Sequence, residues 1–211
     1  MKKTTILLVM LASFVVTFSS CKVSKAYVQN ISKKQDLVAP SSKNVLAFVS
    51  GDVLVNEFTK TFDKNYEDKN EFVAEFLNAF KEQANLNSLF QITTVDAGIE
   101  RYEDLNKGNQ DYIISFTNLE INNRVEFTSA GGFNVNGIGV QAPASVEYCV
   151  MKVKVEVYDV LTDREILDFT VTGEASVFMF NFTKTFQKAK ERTMTHVVNY
   201  LKSGTTTYEK Y

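Results

Sequence analysis

The chain has 211 residues, with 23 Lys and Arg against 25 Asp and Glu, one His, two Cys and no Trp, for a formal charge of −2. A mildly acidic chain without a basic stripe offers nucleic acid no electrostatic footprint, which excludes that partner class. Two cysteines cannot build a disulfide framework, and the length suits one domain with a real hydrophobic core.

Lys2 and Lys3 precede an apolar run over residues 6–18 that closes on Ser19 and Ser20. This is the three-part layout of a secretory signal. The run falls short of the roughly 20 residues that a helix needs to cross a bilayer. Phe18-Ser19-Ser20-Cys21 resembles the lipobox of bacterial lipoproteins, with Phe18 where an aliphatic residue is usual. The resemblance implies removal of residues 1–20 and acylation of Cys21, each buried CH₂ contributing about 0.8 kcal/mol to the anchor. Ordinary cleavage, leaving Cys21 unmodified, is the alternative. Lys22 follows the cysteine where inner-membrane retention would have Asp, so the resemblance points to the outer membrane, and the lack of an acidic run that would signal surface export favours its periplasmic face. Without residues 1–20 the charge is about −4, since Lys2 and Lys3 are lost with them. Cys149 is then unpartnered and is expected in the core.

Residues 21–44, with scattered Ser, Lys, Gln and Asn and the pair Pro40-Ser41, read as a lipidated flexible tether. A single domain is expected over 45–204, followed by a tail at 205–211. Val45-Leu46-Ala47-Phe48-Val49 is a continuous apolar run before Ser50-Gly51, as in a strand buried on both faces. A helix is expected over 69–85, opened by Asp68 with Glu71 as a capping box and striped by Phe72, Val73, Phe76, Leu77 and Phe80. Residues 90–95 read as a second strand, 100–105 as a polar stretch with some helical character, and 111–122 as a third strand. In that third strand the apolar parity flips after Phe116, which predicts a bulge near Thr117-Asn118. Met151, Val153, Val155 and Val157 alternate with polar residues in a fourth strand. Leu167, Phe169 and Val171 do the same in a fifth. A last helix over 183–202, striped by Phe186, Ala189, Thr193, Val197, Tyr200 and Leu201, ends at Gly204. The expected architecture is α+β: a two-layer sandwich of a mostly antiparallel sheet of about five strands with two helices on one face, in the order β-α-β-β-β-β-α.

Residues 128–145 are rich in Gly and small residues, and Asn136-Gly137 sits between Phe133-Asn134-Val135 and Ile138-Gly139-Val140. Asn-Gly between apolar pieces is a strong hairpin signal. Phe133, Val135, Ile138 and Val140 are therefore candidate contacts for a partner or a membrane, against the plainer readings of a mobile loop or a sheet extension.

Candidate chemistry is thin. The single His196 stands beside the last helix's stripe with no second ligand at metal spacing, which reads as a surface or boundary histidine. Asp159, Asp163, Glu165 and Asp168 crowd one turn without the glycine of a calcium loop, so they read as turn residues. No phosphate-cradling glycine loop is present. The chain reads as a non-enzyme without cofactor or metal.

The element order, with Asp111-Tyr112-Ile113-Ile114-Ser115 and Val157-Tyr158-Asp159-Val160-Leu161-Thr162-Asp163-Arg164-Glu165-Ile166-Leu167, resembles outer-membrane assembly lipoproteins of the group holding the penicillin-binding-protein activators and the curli secretion lipoprotein. The lipopolysaccharide-assembly lipoprotein of the outer-membrane translocon is similar in its lipidated start, its small sheet and its amphipathic last helix. Neither resemblance brings catalytic residues. The first implies a protein-binding adaptor or assembly factor in the cell envelope. The second implies lipopolysaccharide binding, for which Lys152 and Lys154 on the exposed sheet face would meet sugar phosphates.

Overall fold

The computed structural model describes residues 24–99, 101–102, 105, 108–129, 133–135, 138–140, 143–177, 179–206 and 208–210. Cys21, the leader before it, and residues 100, 103 and 104 of the expected polar stretch lie outside these. Among the described residues ten strands form: β1 (Lys25–Lys33), β2 (Asn44–Val49), β3 (Leu54–Val55), β4 (Ile92–Asp96), β5 (Tyr112–Ser129), β6 (Phe133–Val135), β7 (Ile138–Val140), β8 (Pro143–Asp159), β9 (Arg164–Ser176) and β10 (Tyr208–Lys210). Three α-helices accompany them there: α1 (Thr59–Asn65), α2 (Lys69–Leu86) and α3 (Phe182–Ser203).

Val45, Leu46, Ala47, Phe48 and Val49 are all buried, so β2 has core on both faces. Both of its neighbours, β4 and β5, run parallel to it, and the chain reaches β4 through α1 and α2. A strand entered and left by such crossovers is covered on both sides, which is why it reads as an unbroken apolar run. The remaining large ladders, β5 with β8, β8 with β9 and β9 with β1, are antiparallel. The result is an α+β fold on a mixed sheet of eight strands in the order β10-β1-β9-β8-β5-β2-β4, with β3 beside β5 off that path. This corrects the expected five, mostly antiparallel strands and two helices.

The larger correction is at the N-terminus. Residues 25–33, expected within a tether, form β1, and residues 208–210, expected in a tail, form β10 against it. Ala26 is buried, while Gln29, Ser32 and their neighbours sit on the rim, so the local pattern is too polar to read as a strand. β9 supplies the pairing from 134 to 147 residues away in sequence (Lys33–Leu167 to Ala26–Gly173), where no local signal reaches.

The bulge falls where the parity flip places it. The β5–β8 register shifts between Thr117 and Glu120, and Asn118 takes φ 49°. One extra residue returns Leu119 and Ile121 to the same core as Phe116.

Under the helices, Phe72, Phe76, Phe80 and Phe186 are fully buried beside Phe116 and Phe169. Phe76 and Phe116 meet edge-on at 5.3 Å, and each such ring contributes roughly 1.5–3 kcal/mol by leaving water. Asp68 caps α2 by accepting from the Glu71 amide (2.9 Å), and Gly204 closes α3 in the left-handed region at φ 63°. On the opposite face, Leu46, Phe48, Leu105 and Ile113 make a second, smaller apolar cluster capped by Tyr102 stacked on Tyr158.

Candidate functional site

The sheet is not evenly long. β9 leaves β8 at the Tyr148–Ser176 pair, yet β5 and β8 stay paired through Val125–Glu147, Phe127–Ser145 and Ser129–Pro143. Those last five pairs form a two-stranded arm of roughly 17 Å, at about 3.4 Å per residue. Phe127 is 78% exposed there and Val125 is also exposed. Past the arm, β6 and β7 pair antiparallel in the register Phe133–Val140, Asn134–Gly139 and Val135–Ile138. The four apolar residues singled out in this segment thus lie in a hairpin, while its Asn136-Gly137 turn lies outside the described residues.

An ion-pair network pins the root of the arm. Arg124 donates from Nε to Glu174 Oε1 (3.2 Å), from Nη2 to Glu174 Oε2 (2.8 Å) and from Nη1 to Glu126 (3.2 Å), and its guanidinium lies 4.0 Å over the Tyr148 ring. Tyr148 Oη donates to Glu126 (3.0 Å), and the Lys25 amide donates to Glu174 (3.2 Å). The hydrogen bonds from Arg124 and Tyr148 hold the Glu126 carboxyl below its usual range. Four strands, β1, β5, β8 and β9, meet in this one network. Sequence reasoning did not find it, because Arg124 and Glu174 are fifty residues apart and neither stands in a motif.

Lys152 and Lys154 do lie on the face away from the helices, but neither is an open cation. Lys152 pairs with Glu120 (3.7 Å), and Lys154 pairs with Glu156 (2.8 Å) and Asp168 (3.8 Å). The hydrogen bond to Glu156 raises the Lys154 pKa. A face on which three carboxylates surround two lysines has no surplus charge for a sugar phosphate.

The acidic turn resolves into separate partnerships. Asp159 accepts from the Thr162 amide and hydroxyl (2.8 and 3.0 Å), Asp163 accepts from Tyr102 Oη (2.8 Å), and Glu165 pairs with Lys34 (2.9 Å). Among the described residues no three His, Cys, Asp or Glu side chains gather as metal ligands.

His196 departs from its expected surface or boundary position. It is fully buried, with its Nε2 3.7 Å from Glu209 of β10. Burial lowers its pKa below the ordinary 6.5, and Glu209 opposes that only in part. As the pH falls below about 6.5 the unfolded chain takes a proton that the folded chain resists, so stability is lost down to the depressed folded value, at most about 1.4 kcal/mol per pH unit. Urea midpoints measured at pH 7, 6 and 5.5 should fall accordingly, and His196→Gln should flatten that slope.

At the carboxyl ends of β2 and β4 a cleft of about 460 Å³ is lined by Gly51, Asp52, Lys69, Asn70 and Arg101 among others. Such crevices hold ligands in parallel sheets, but among the described residues that line this one there is neither a histidine nor a cysteine. Cys149, the remaining thiol, is buried among core residues, and burial pushes its pKa to about 12. Farther toward that same end of the sheet, beside the arm, the loop from β9 into α3 exposes Met179 and Phe180, both in the left-handed region. The run Val177-Phe178-Met179-Phe180 ahead of a helix was the legible signal for this loop. No helix stripe could absorb it.

No family model matches the chain, and no curated protein matches it. Among solved structures it is similar to a variant PelC dodecamer from Paraburkholderia phytofirmans, at 13% identity and TM-score 0.46, over 85% of this chain and 99% of that one. A neuraminyllactose-binding hemagglutinin homolog from Helicobacter pylori aligns at 10% identity and TM-score 0.44, over 82% of this chain and 88% of that one. A PDZ domain protein from Parabacteroides distasonis aligns at 14% identity and TM-score 0.38, over 95% of this chain and 42% of that one. At these scores and identities the likeness transfers neither a fold family nor a function.

Proposed function

We propose that the chain is a non-catalytic envelope lipoprotein, held by acylated Cys21 at the periplasmic face of the outer membrane, that works as a protein-binding adaptor or assembly factor through its β5–β8 arm. The observation that carries this reading is the arm itself. A two-stranded ribbon that outruns its sheet, with Phe127 78% exposed, keeps apolar surface in water that the domain has no use for. The Arg124–Glu174 network holds that ribbon rigid where it leaves the sheet. The signal-like leader and Cys21 support the location. The lipopolysaccharide-binding alternative loses its support, because Lys152 and Lys154 are already neutralised on their own face.

A photo-crosslinking side chain placed at Phe127 in the full chain, in cells, should yield one defined adduct. Replacing residues 128–144 with Asn-Gly closes the arm after the Phe127–Ser145 pair and should abolish it. An adduct that survives this shortening would remove the arm as the contact. Mass spectrometry of the mature N-terminus tests the anchor separately.

A further inference from the structure

The end of the domain that carries the arm has a second unusual surface. Met179 and Phe180 are 80% and 87% exposed at φ 49° and 58°. Two consecutive large apolar residues in the left-handed region, neither packed into the core, are strain held without any gain in packing. A cleft of about 480 Å³ on one side of them is lined by Lys60 and Lys64, and one of about 460 Å³ on the other by Lys184, Lys188 and Arg192. Among the described residues no carboxylate lines either cleft, in a chain that is acidic as a whole. Glu147 lines the adjoining groove with Phe58 and Phe182.

The path of the chain says what faces this surface. The Ser176 amide, three residues before Met179, donates to the Ser24 hydroxyl (3.0 Å), so β1 begins beside the loop. Cys21 is three residues upstream of Ser24, within about 10 Å at full extension. We propose that this end is a membrane-contact surface, in which Met179 and Phe180 enter the interfacial layer of an anionic bilayer and the flanking lysines meet its lipid phosphates. Apolar side chains ringed by cations are what such an interface selects, the cations drawn to anionic lipid and the apolar groups to the acyl boundary. The orientation rests on the anchor at Cys21, and the affinity of the surface for lipid does not.

The test uses the chain beginning at Lys22, which lacks leader and anchor and keeps every described residue. It should float with vesicles of phosphatidylglycerol and phosphatidylcholine, less so at high salt, and not with phosphatidylcholine alone. The double change Met179→Ser with Phe180→Ser, and separately Lys184→Glu with Lys188→Glu, should each cut the floated fraction about tenfold without moving the thermal midpoint, since all four side chains are solvent-facing. No flotation with anionic vesicles, or flotation unchanged in both variants, overturns the proposal, and the first result would mean that an acidic protein takes the surface instead. An unmodified Cys21 together with anionic-vesicle binding would remove the anchor and leave the lipid contact standing.

Discussion

Gly173→Ala is expected to lower the unfolding free energy by about 3 kcal/mol, at the upper end of overpacking costs. A Cβ at this β9 position would lie 2.6 Å from the Thr193 amide nitrogen and 2.8 Å from the Ala189 carbonyl oxygen, in addition to striking the Thr193 hydroxyl. Two of those three atoms belong to the backbone of α3 and cannot rotate away. The helix would have to lift from the sheet, and it carries Phe186, Ala189, Val197 and Tyr200 into the core. The Thr193 hydroxyl, which donates to the Ala189 carbonyl (2.9 Å), would be displaced with it. Urea unfolding measures this directly through the midpoint at constant slope. Gly98→Ala is the control, since its Cβ would meet only the Asp96 side chain at 3.4 Å, and a change within about 0.5 kcal/mol is expected. A midpoint for Gly173→Ala equal to that of the control would mean that α3 does not rest on β9 as closely as described.

Arg124→Ala should cost about as much by a different route, electrostatic in place of steric. The Glu174 side chain is only 5% exposed, and without the guanidinium it keeps one described partner, the Lys25 amide at 3.2 Å. Removing one member of a buried pair leaves a charge that water cannot reach, a loss of about 3–5 kcal/mol when burial is complete. Arg124 is partly solvated, so the lower figure applies. Adding Glu174→Ala to Arg124→Ala should return part of the loss, because the stranded charge goes with it. A double variant that is merely additive would show that the two side chains do not act as a pair. The same change should weaken capture through Phe127, since the network stiffens the ribbon where it leaves the sheet.

Much of the core was legible. The stripes of α2 and α3, the caps at Asp68 and Gly204, the doubly buried β2 and the bulge at Asn118 all follow from periodicity or turn chemistry carried by adjacent residues. What stayed hidden depends on partners remote in sequence. Residues 25–33 look like a linker until β9 pairs with them, and His196 looks peripheral until β10 folds over it. The exposure of Lys152 and Lys154 was readable from alternation, but their neutralisation by Glu120, Glu156 and Asp168 was not, because cross-strand register decides which charges face each other. The candidate surface at Met179 and Phe180 was half visible, as an apolar run that no helix stripe could use.

β1 pairs with β9 and β10 and with no strand between them in sequence. A chain emerging from its N-terminus therefore holds its first strand unpaired until almost the whole of it has appeared. Closing so long a loop comes late in folding, after the β5–β8 hairpin and the crossover from β2 to β4 have formed the central strands. The edge of the sheet nearest the proposed anchor is thus the last to assemble, and a chain stalled short of residue 167 would hold none of the β9 and β10 residues that pair with β1.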